Sequence, residues 1–399
     1  MKIILVHNTY QRPGGEDVVF EQEQQLLQRA GHTVITYRRS NWEVNQYSSW
    51  KRLQLVERIV WNKDTRREFA GLLEQHKPDL VHVHNTFVMI SPSIYSACRL
   101  AHVPVVQTLH NYRLYCPAAT FFRNGRVCEE CVDHGLWRGI AHGCYRDSRA
   151  ATAAVALALA VHRQRHTWTR EVTRYIALSE FSRSTFERAG LPSDKISVKP
   201  NFVYPDPGCR TNGVGEYALF VGRLSPEKRV GTVLDAWTRL CEPIPLLVLG
   251  GGPERAHLEG DAFKLGLSSI TFRGQVSREQ TITAMHGARF LVFSSEWYEN
   301  FPVTLAESFA CGLPVICSRL GAMPEIVEDG RTGLHFVPGD AGDLAKKINW
   351  AWKHPDQMKM MGRAARLEYE AKYTAARNYE MLIEIYNRAM LTEGRPQVN

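Results

Sequence analysis

Short apolar runs alternate with longer amphipathic stretches along this chain, and the rhythm is played out twice. In the first half the runs are Ile3–His7, Thr33–Tyr37, Leu80–His84, Val103–Thr108 and Tyr175–Leu178. In the second they are Tyr217–Val221, Leu246–Leu249, Ile270–Phe272, Phe290–Phe293 and Pro314–Cys317. Strands of this length separated by helical patterns predict an α/β fold, with parallel sheets covered by helices on both faces. A helix from about Glu16 to Ala30 closes at Gly31, a residue suited to the left-handed turn after a helix. Two further helical patterns, about Pro355–Lys372 and Thr374–Met390, end the chain. Between the halves, Pro200-Asn201-Phe202-Val203-Tyr204-Pro205-Asp206-Pro207-Gly208 is dense in proline and turn residues and reads as a break.

At 399 residues the chain exceeds what one hydrophobic core usually serves. The division expected is a domain over 1–200, a linker over 201–215, a second domain over 216–373 and a closing segment over 374–399. Ligands of doubly wound sheets bind at the carboxyl ends of the strands, so a cleft between the two domains is the expected site. The opening apolar run is too short for a signal peptide and reads as a buried strand. The longest apolar stretch, Ala150–Val161, falls short of the ~20 residues that a spanning helix needs. These features predict a cytoplasmic protein, at most peripheral at a membrane face. Residues 1–200 hold 27 Lys+Arg against 18 Asp+Glu, and the rest hold 22 against 23. The basic excess therefore belongs to the first half, which suggests an anionic partner there.

One segment opens a helix directly after a strand: Glu296-Trp297-Tyr298-Glu299-Asn300-Phe301-Pro302-Val303-Thr304-Leu305-Ala306-Glu307-Ser308. Pro302 suits the first turn, which places Glu299 in the preceding loop and Glu307 in the second turn. The unbonded amides near Asn300–Val303 and the positive end of the helix dipole suit a phosphate or a sugar. Carboxylates eight apart are also ordinary surface acids, so spacing alone does not decide between the readings. A second segment, Phe220-Val221-Gly222-Arg223-Leu224-Ser225-Pro226-Glu227-Lys228, ends a strand and offers two cations five residues apart. Fixed cations neutralise a departing diphosphate without a metal; a solvated basic loop has the same composition. Gly250-Gly251-Gly252-Pro253-Glu254 reads first as a strand-to-helix turn. In the first half, Arg12-Pro13-Gly14-Gly15-Glu16 lets backbone amides approach an anion, and His110 follows the run Val105–Thr108.

Taken in order, these segments resemble glycosyltransferase family four, together with Ala177-Leu178-Ser179-Glu180-Phe181-Ser182 and Gly312-Leu313-Pro314-Val315-Ile316. The resemblance covers nearly the whole chain and points to a bacterial member of polysaccharide type. It implies a GT-B fold, two Rossmann-like doubly wound domains facing a central cleft, with retention of anomeric configuration and no catalytic metal. It further implies that Arg223 and Lys228 hold the donor diphosphate, with Glu299 at the reacting face of the sugar and Glu307 on the ribose. Gly14, Gly15, Gly222, Asn300, Phe301 and Pro302 would line the donor pocket, His110 would lie beside the sugar, and the last helix would cross back to the N-terminal domain. Many relatives carry glycine where this chain has Asn300. The expected reaction moves a hexose-type sugar from a nucleoside-diphosphate sugar to a hydroxyl of a glycan or lipid-linked acceptor.

Cys116, Cys128, Cys131 and Cys144 gather four of the nine cysteines into one loop-like region. A C-x2-C pair with two outlying cysteines suits tetrahedral thiolate ligation of a structural zinc. Iron–sulfur ligation uses the same donors, and unligated reduced thiols remain the plain alternative. Trp50-Lys51-Arg52-Leu53, Arg58-Ile59-Val60-Trp61, Arg66-Arg67 and the stretch Arg146–Arg174 mix bulky apolar with cationic residues, fitting an anionic lipid surface or a solvated basic face. No nucleic-acid module appears. The competing functions are a nucleotide-sugar epimerase on the same fold and a non-catalytic, metal-stabilised scaffold of a glycan assembly complex. A nicotinamide enzyme fits less well, because the one G-x-G-x-x-A run, Gly213–Ala218, precedes a strand. A metal-using transferase would want an Asp-x-Asp pair, and the chain has none.

Overall fold

The structure, a computed structural model, describes residues 1–11, 14–46, 55–209 and 215–392. Arg12 and Pro13, the Trp50–Leu53 basic run, the end of the expected linker with Gly213, and the last residues of the closing segment lie outside that description. Contacts divide the chain into two compact units. The first comprises Met1–Phe121, Cys128–Pro200 and Asn378 onward; the second comprises Phe122–Val127 and Asn201–Arg377.

The first unit is built on a six-stranded parallel sheet. Its strands are β1 (Lys2–Thr9), β2 (Thr33–Ser40), β3 (Leu80–Val83), β4 (Val105–Thr108), β7 (Arg174–Ala177) and β8 (Ile196–Val198), in the spatial order β2-β1-β3-β4-β7-β8. β5 (Phe122–Arg123) and β6 (Arg126–Val127) form an antiparallel hairpin that groups with the second unit. Ile3, Ile4, Leu5 and Val6 are all fully buried, because a central parallel strand is covered on both faces and must be apolar throughout. The helix after β1 runs Gly15–Arg29, with Gly31 at φ +82° just past its end. Ser148 caps the helix Arg149–Gln164, its hydroxyl accepting from the Ala151 amide. That helix holds the alanine-rich run. Among the described residues no helix is long and apolar enough to cross a membrane.

The second unit repeats the design with β9 (Tyr217–Val221), β10 (Leu246–Leu249), β11 (Ile270–Gly274), β12 (Ala288–Phe293), β13 (Val315–Ser318) and β14 (Gly333–Phe336). Their order is β11-β10-β9-β12-β13-β14. The order turns at β9 and β12, and the crevice beyond the carboxyl ends of such a strand pair is where doubly wound sheets bind ligands. Leu219, Leu291, Val292 and Ile316 are fully buried along these central strands. Gly250, at φ +143°, and Gly252 are set by packing: a Cβ would lie 1.8 Å from the Gly222 carbonyl oxygen and 2.1 Å from that of Leu224. The triple glycine therefore makes room for the loop after β9, which agrees with its reading as a turn.

The expected strands are all present, with ends moved by at most three residues. The sequence reading lacked β8, β14 and the hairpin. β8 is three residues long, and His335 interrupts the apolar run of β14. The final helices run Pro355–Lys372 and Ala375–Thr392. The second passes into the first unit from Asn378 onward.

Candidate active site

In the second unit, the ends of β9 and β12 carry the two motif loops. Pro302 stands at the cap of the helix Val303–Ala310, with Glu299 in the loop before it and Glu307 in its second turn. The Lys228 ammonium, from the loop after β9, donates to Glu299 Oε1. The Ser295 hydroxyl donates to the same oxygen at 2.8 Å. Ser294 Oγ donates to the Lys228 carbonyl at 2.7 Å and ties the two loops together. The Glu299 side chain is 8% exposed and that of Lys228 16%, so the pair is sheltered but open on one side. Lys228 also lies over the Phe293 and Trp297 rings, 5.1 and 5.7 Å from their centroids. Arg223 is exposed and makes no ion pair among the described residues. Of the two cations expected to act alike, one is already engaged by a carboxylate and the other is free for an anion.

Glu307 is held by Arg278, whose Nε donates to Oε1 at 3.1 Å. Burial raises the Glu307 carboxyl above its usual range, and Arg278 opposes that rise. Asn300 and Phe301 are buried at the start of the same helix, and the Phe301 carbonyl accepts from Asn201 Nδ2 at 3.3 Å. Gly222 has room for a Cβ at ordinary contact distance from the Phe220 ring, so space does not demand glycine there. Beside this loop Arg229 Nε donates to Glu296 Oε2 at 2.8 Å, and its Nη2 donates to the Gly125 carbonyl at 3.3 Å.

In the first unit, Gly14 and Gly15 are exposed, with nothing within 4 Å of a Cβ at either. The Gly14 amide donates to Asp17 Oδ2 at 2.7 Å, and Asp17 Oδ1 meets His7 Nε2 at 2.9 Å. Glu16 accepts from Asn85 at 2.9 Å and from Asn111 at 3.2 Å. Burial pushes its carboxyl up to about 8, assisted by the neighbouring Asp17. His110 sits just past β4, with Nε2 2.9 Å from His84 Nδ1; burial and the nearby His84 hold its ring well below the ordinary imidazole range.

All nine cysteines are free thiols. Burial pushes the Cys131 thiol up to about 12, with Cys116, Cys144 and Cys128 adding to the rise. The four sulfurs thus share one neighbourhood. They do not close to ligand spacing. Among the described residues, the group of three or more His, Cys, Asp or Glu whose ligand atoms all lie within 4.8 Å of one another is Glu23, His82 and His84.

Two family models match the chain. One, Glycosyltransferase Family 4, covers residues 13–206. The other, Glycosyl transferases group 1, covers residues 210–368. The chain belongs to glycosyltransferase family four. It is 32% identical to D-rhamnosyltransferase WbpZ of Pseudomonas aeruginosa over 161 residues, which are 40% of this chain and 42% of that protein. It is 27% identical to the O-antigen chain mannosyltransferase C of Escherichia coli over 172 residues, 43% of this chain and 46% of the relative. The matches thus span less than half the length of these two relatives. Among solved structures, Anabaena Alr3699/HepE in complex with UDP-glucose superposes with a TM-score of 0.68 at 19% identity, covering 96% of this chain and 99% of that one. The architecture of two Rossmann-like parallel sheets is that of the GT-B class.

Within this family frame, the motif residues fall at the ends of β9 and β12 in the second unit and after β1 and β4 in the first. Sequence reasoning missed Ser295, Arg278 and Glu16, and it missed the buried group of Glu23, His82, His84 and Lys199. Glu16 closes the Arg12–Glu16 motif, and its position beside a glycine pair at a helix start was the available signal. Glu23 and Lys199 lie 176 residues apart, and no local pattern links them.

Proposed function

We propose that this chain is a retaining glycosyltransferase that moves a hexose-type sugar from a nucleoside-diphosphate sugar to a hydroxyl of a glycan or lipid-linked acceptor, in polysaccharide biosynthesis. The observation that carries the reading is the Lys228–Glu299–Ser295 group at the end of β12, with exposed Arg223 on the loop after β9. A carboxylate anchored by an ammonium and a hydroxyl is held in one orientation and suits the hydroxyls of a sugar. Arg223 and Lys228 supply positive charge for a diphosphate as it leaves. Gly222, the amides of Asn300 and Phe301, the turn at Pro302, and Glu307 beside Arg278 line the donor's path, and by the family resemblance Gly14, Gly15 and His110 are donor-binding residues as well.

The acceptor hydroxyl attacks the anomeric carbon on the face from which the diphosphate departs. The leaving phosphate oxygen takes the acceptor's proton, so Glu299 orients the sugar and forms no bond to it. The named activities of WbpZ and the mannosyltransferase, and UDP-glucose in the Anabaena structure, favour a sugar nucleotide as donor. Cys116, Cys128, Cys131 and Cys144 would hold a structural zinc in this reading, on condition that their sulfurs draw closer together than in the metal-free chain. Four thiolates leave no open position for chemistry. The basic surface of the first unit, with Lys63, Arg66 and Arg67 around Trp61 and Leu100, lines a groove of about 600 Å³ and suits docking on the anionic inner face of the plasma membrane.

A thermal-shift panel of UDP, GDP, ADP and their hexose conjugates tests the donor, because a ligand bound to the folded state raises its melting point. Product analysis with the stabilising donor then decides the reaction: an α-linked product from an α-linked donor supports it, and a rearranged sugar nucleotide formed without acceptor points to an epimerase. No shift with any sugar nucleotide would sink the transferase reading. Metal analysis of freshly purified, reduced protein that finds no zinc removes the metal site.

A further inference from the structure

Glu23 lies fully inside the first unit, on the helix Gly15–Arg29, and β3 and the end of β8 supply its neighbours. Lys199, just past β8, places Nζ 2.7 Å from Oε1. Asn378 Oδ1 accepts from the same ammonium at 3.0 Å. Glu23 Oε2 lies 3.0 Å from His84 Nε2 and 3.7 Å from His82 Nδ1. The His84 contact does not meet hydrogen-bond geometry, and neither of its two atoms has another hydrogen-bond partner among the described residues. Beyond it, His84 Nδ1 lies 2.9 Å from His110 Nε2, and the two rings stack with centroids 5.1 Å apart.

The spacing of Glu23, His82 and His84 would also suit a cation, but Lys199 already brings a positive charge to that carboxylate. His82 is engaged on both nitrogens, Nδ1 with the Tyr386 hydroxyl at 2.7 Å and Nε2 with Thr108 Oγ1 at 2.8 Å. The group is therefore a line of contacts, Lys199–Glu23–His84–His110, and the placement of its protons follows from its ends. Burial alone would raise the Glu23 carboxyl, yet Lys199 and the two histidines hold it well below its usual range. It is a carboxylate and only accepts. Burial keeps His84 and His110 neutral, so each carries one N–H and one bare nitrogen.

We propose that Glu23 and His84 are positioning residues that fix His110 as its Nε2–H tautomer, leaving Nδ1 bare to accept a hydrogen bond from a hydroxyl of the sugar. The carboxylate 3.0 Å away favours the proton of neutral His84 on Nε2, which leaves His84 Nδ1 bare; that nitrogen takes the His110 Nε2–H, so His110 Nδ1 is bare in turn. His110 is part-exposed and Nδ1 has no hydrogen bond among the described residues. A bare imidazole nitrogen receives an O–H and turns away an N–H, which makes it selective for hydroxyls. The sugar as ligand rests on the transferase reading; the tautomer does not.

Ring-nitrogen NMR of histidine-labelled protein at neutral pH, with His110→Phe for assignment, reads the tautomer directly. The wild-type protein should show His110 as Nε2–H. Glu23→Leu combined with Lys199→Met removes both charges together and keeps the site neutral. In that variant the Nδ1–H form of His110 should appear and kcat should fall about 10–100-fold, a range typical of lost orienting partners, while KM for the donor changes little. An Nδ1–H tautomer in the wild type, or a His110 that stays wholly Nε2–H in the double variant, overturns the proposal. The wild-type measurement needs no variant to fold. If no sugar is transferred while His110 is Nε2–H, the transferase reading fails and the tautomer assignment stands.

Discussion

The two units place polar chemistry at the same ends of similar sheets but treat charge in opposite ways. In the first, Glu23 and Lys199 are about 1% exposed and satisfy each other, and the histidines around them are neutral. In the second, Lys228 and Glu299 meet near the surface, and Arg223 stands in solvent without a carboxylate partner among the described residues. A buried pair contributes through shape and proton placement, because its field is already cancelled and any unpairing is costly. A partly exposed set with a spare cation keeps a net field for an anion. The same fold thus supplies an orienting half and an electrostatic half.

This contrast breaks most sharply at Lys199. Lys199→Met alone should cost about 3–5 kcal/mol in denaturant unfolding, because it leaves the Glu23 carboxylate buried and unpaired; adding Glu23→Leu should recover much of it. If the single substitution is neutral, the buried pair is not what organises the first unit. Lys228→Ala should show the reverse pattern. Catalytic turnover should drop about 10²–10³-fold with a melting point close to that of the wild type. A large loss of stability instead would make Lys228 a structural partner of Glu299. Arg223→Ala should weaken binding of a nucleoside diphosphate about tenfold, as expected for one lost charge-assisted contact, and calorimetry of the diphosphate alone measures it.

A different kind of effect, visible only as a pH dependence, lies with Glu16. Its carboxyl is raised from 4.5 to about 8 in the folded chain, so the unfolded chain releases this proton first as pH rises. The stability it gives is fully present below about pH 4.5 and is lost progressively up to about pH 8. Glu16→Gln, which carries no such proton, should match the wild type in acid and become relatively more stable through that window. Melting curves of the two proteins across pH decide this, and parallel curves would remove the protonated Glu16.

Much of the fold was legible because its signals are local. Strands such as Ile3–Val6 and Leu246–Leu249 are continuous apolar runs bounded by turns, and Pro302 announced the helix that separates Glu299 from Glu307. The site was legible in outline for the same reason, as its motifs sit on single loops. What the sequence concealed is pairing across distance. Arg278 reaches Glu307 across 29 positions and His82 reaches Tyr386 across 304, and such choices are made by packing. Lys228 and Arg223 looked equivalent five residues apart; only the folded loop shows one engaged and the other open.

The closing helix Ala375–Thr392 supplies Asn378 to Lys199, Tyr379 to His32 and Tyr386 to His82. The first unit is therefore discontinuous in the chain, and its polar interior is completed by residues that are made after the second unit. During vectorial synthesis the amino-terminal sheet must wait, with Lys199 and His82 each short of one partner, while the whole second unit is made. A polypeptide ending at Pro200 would be an unfinished protein, and any attempt to exchange halves between relatives must carry the final helix with the first half.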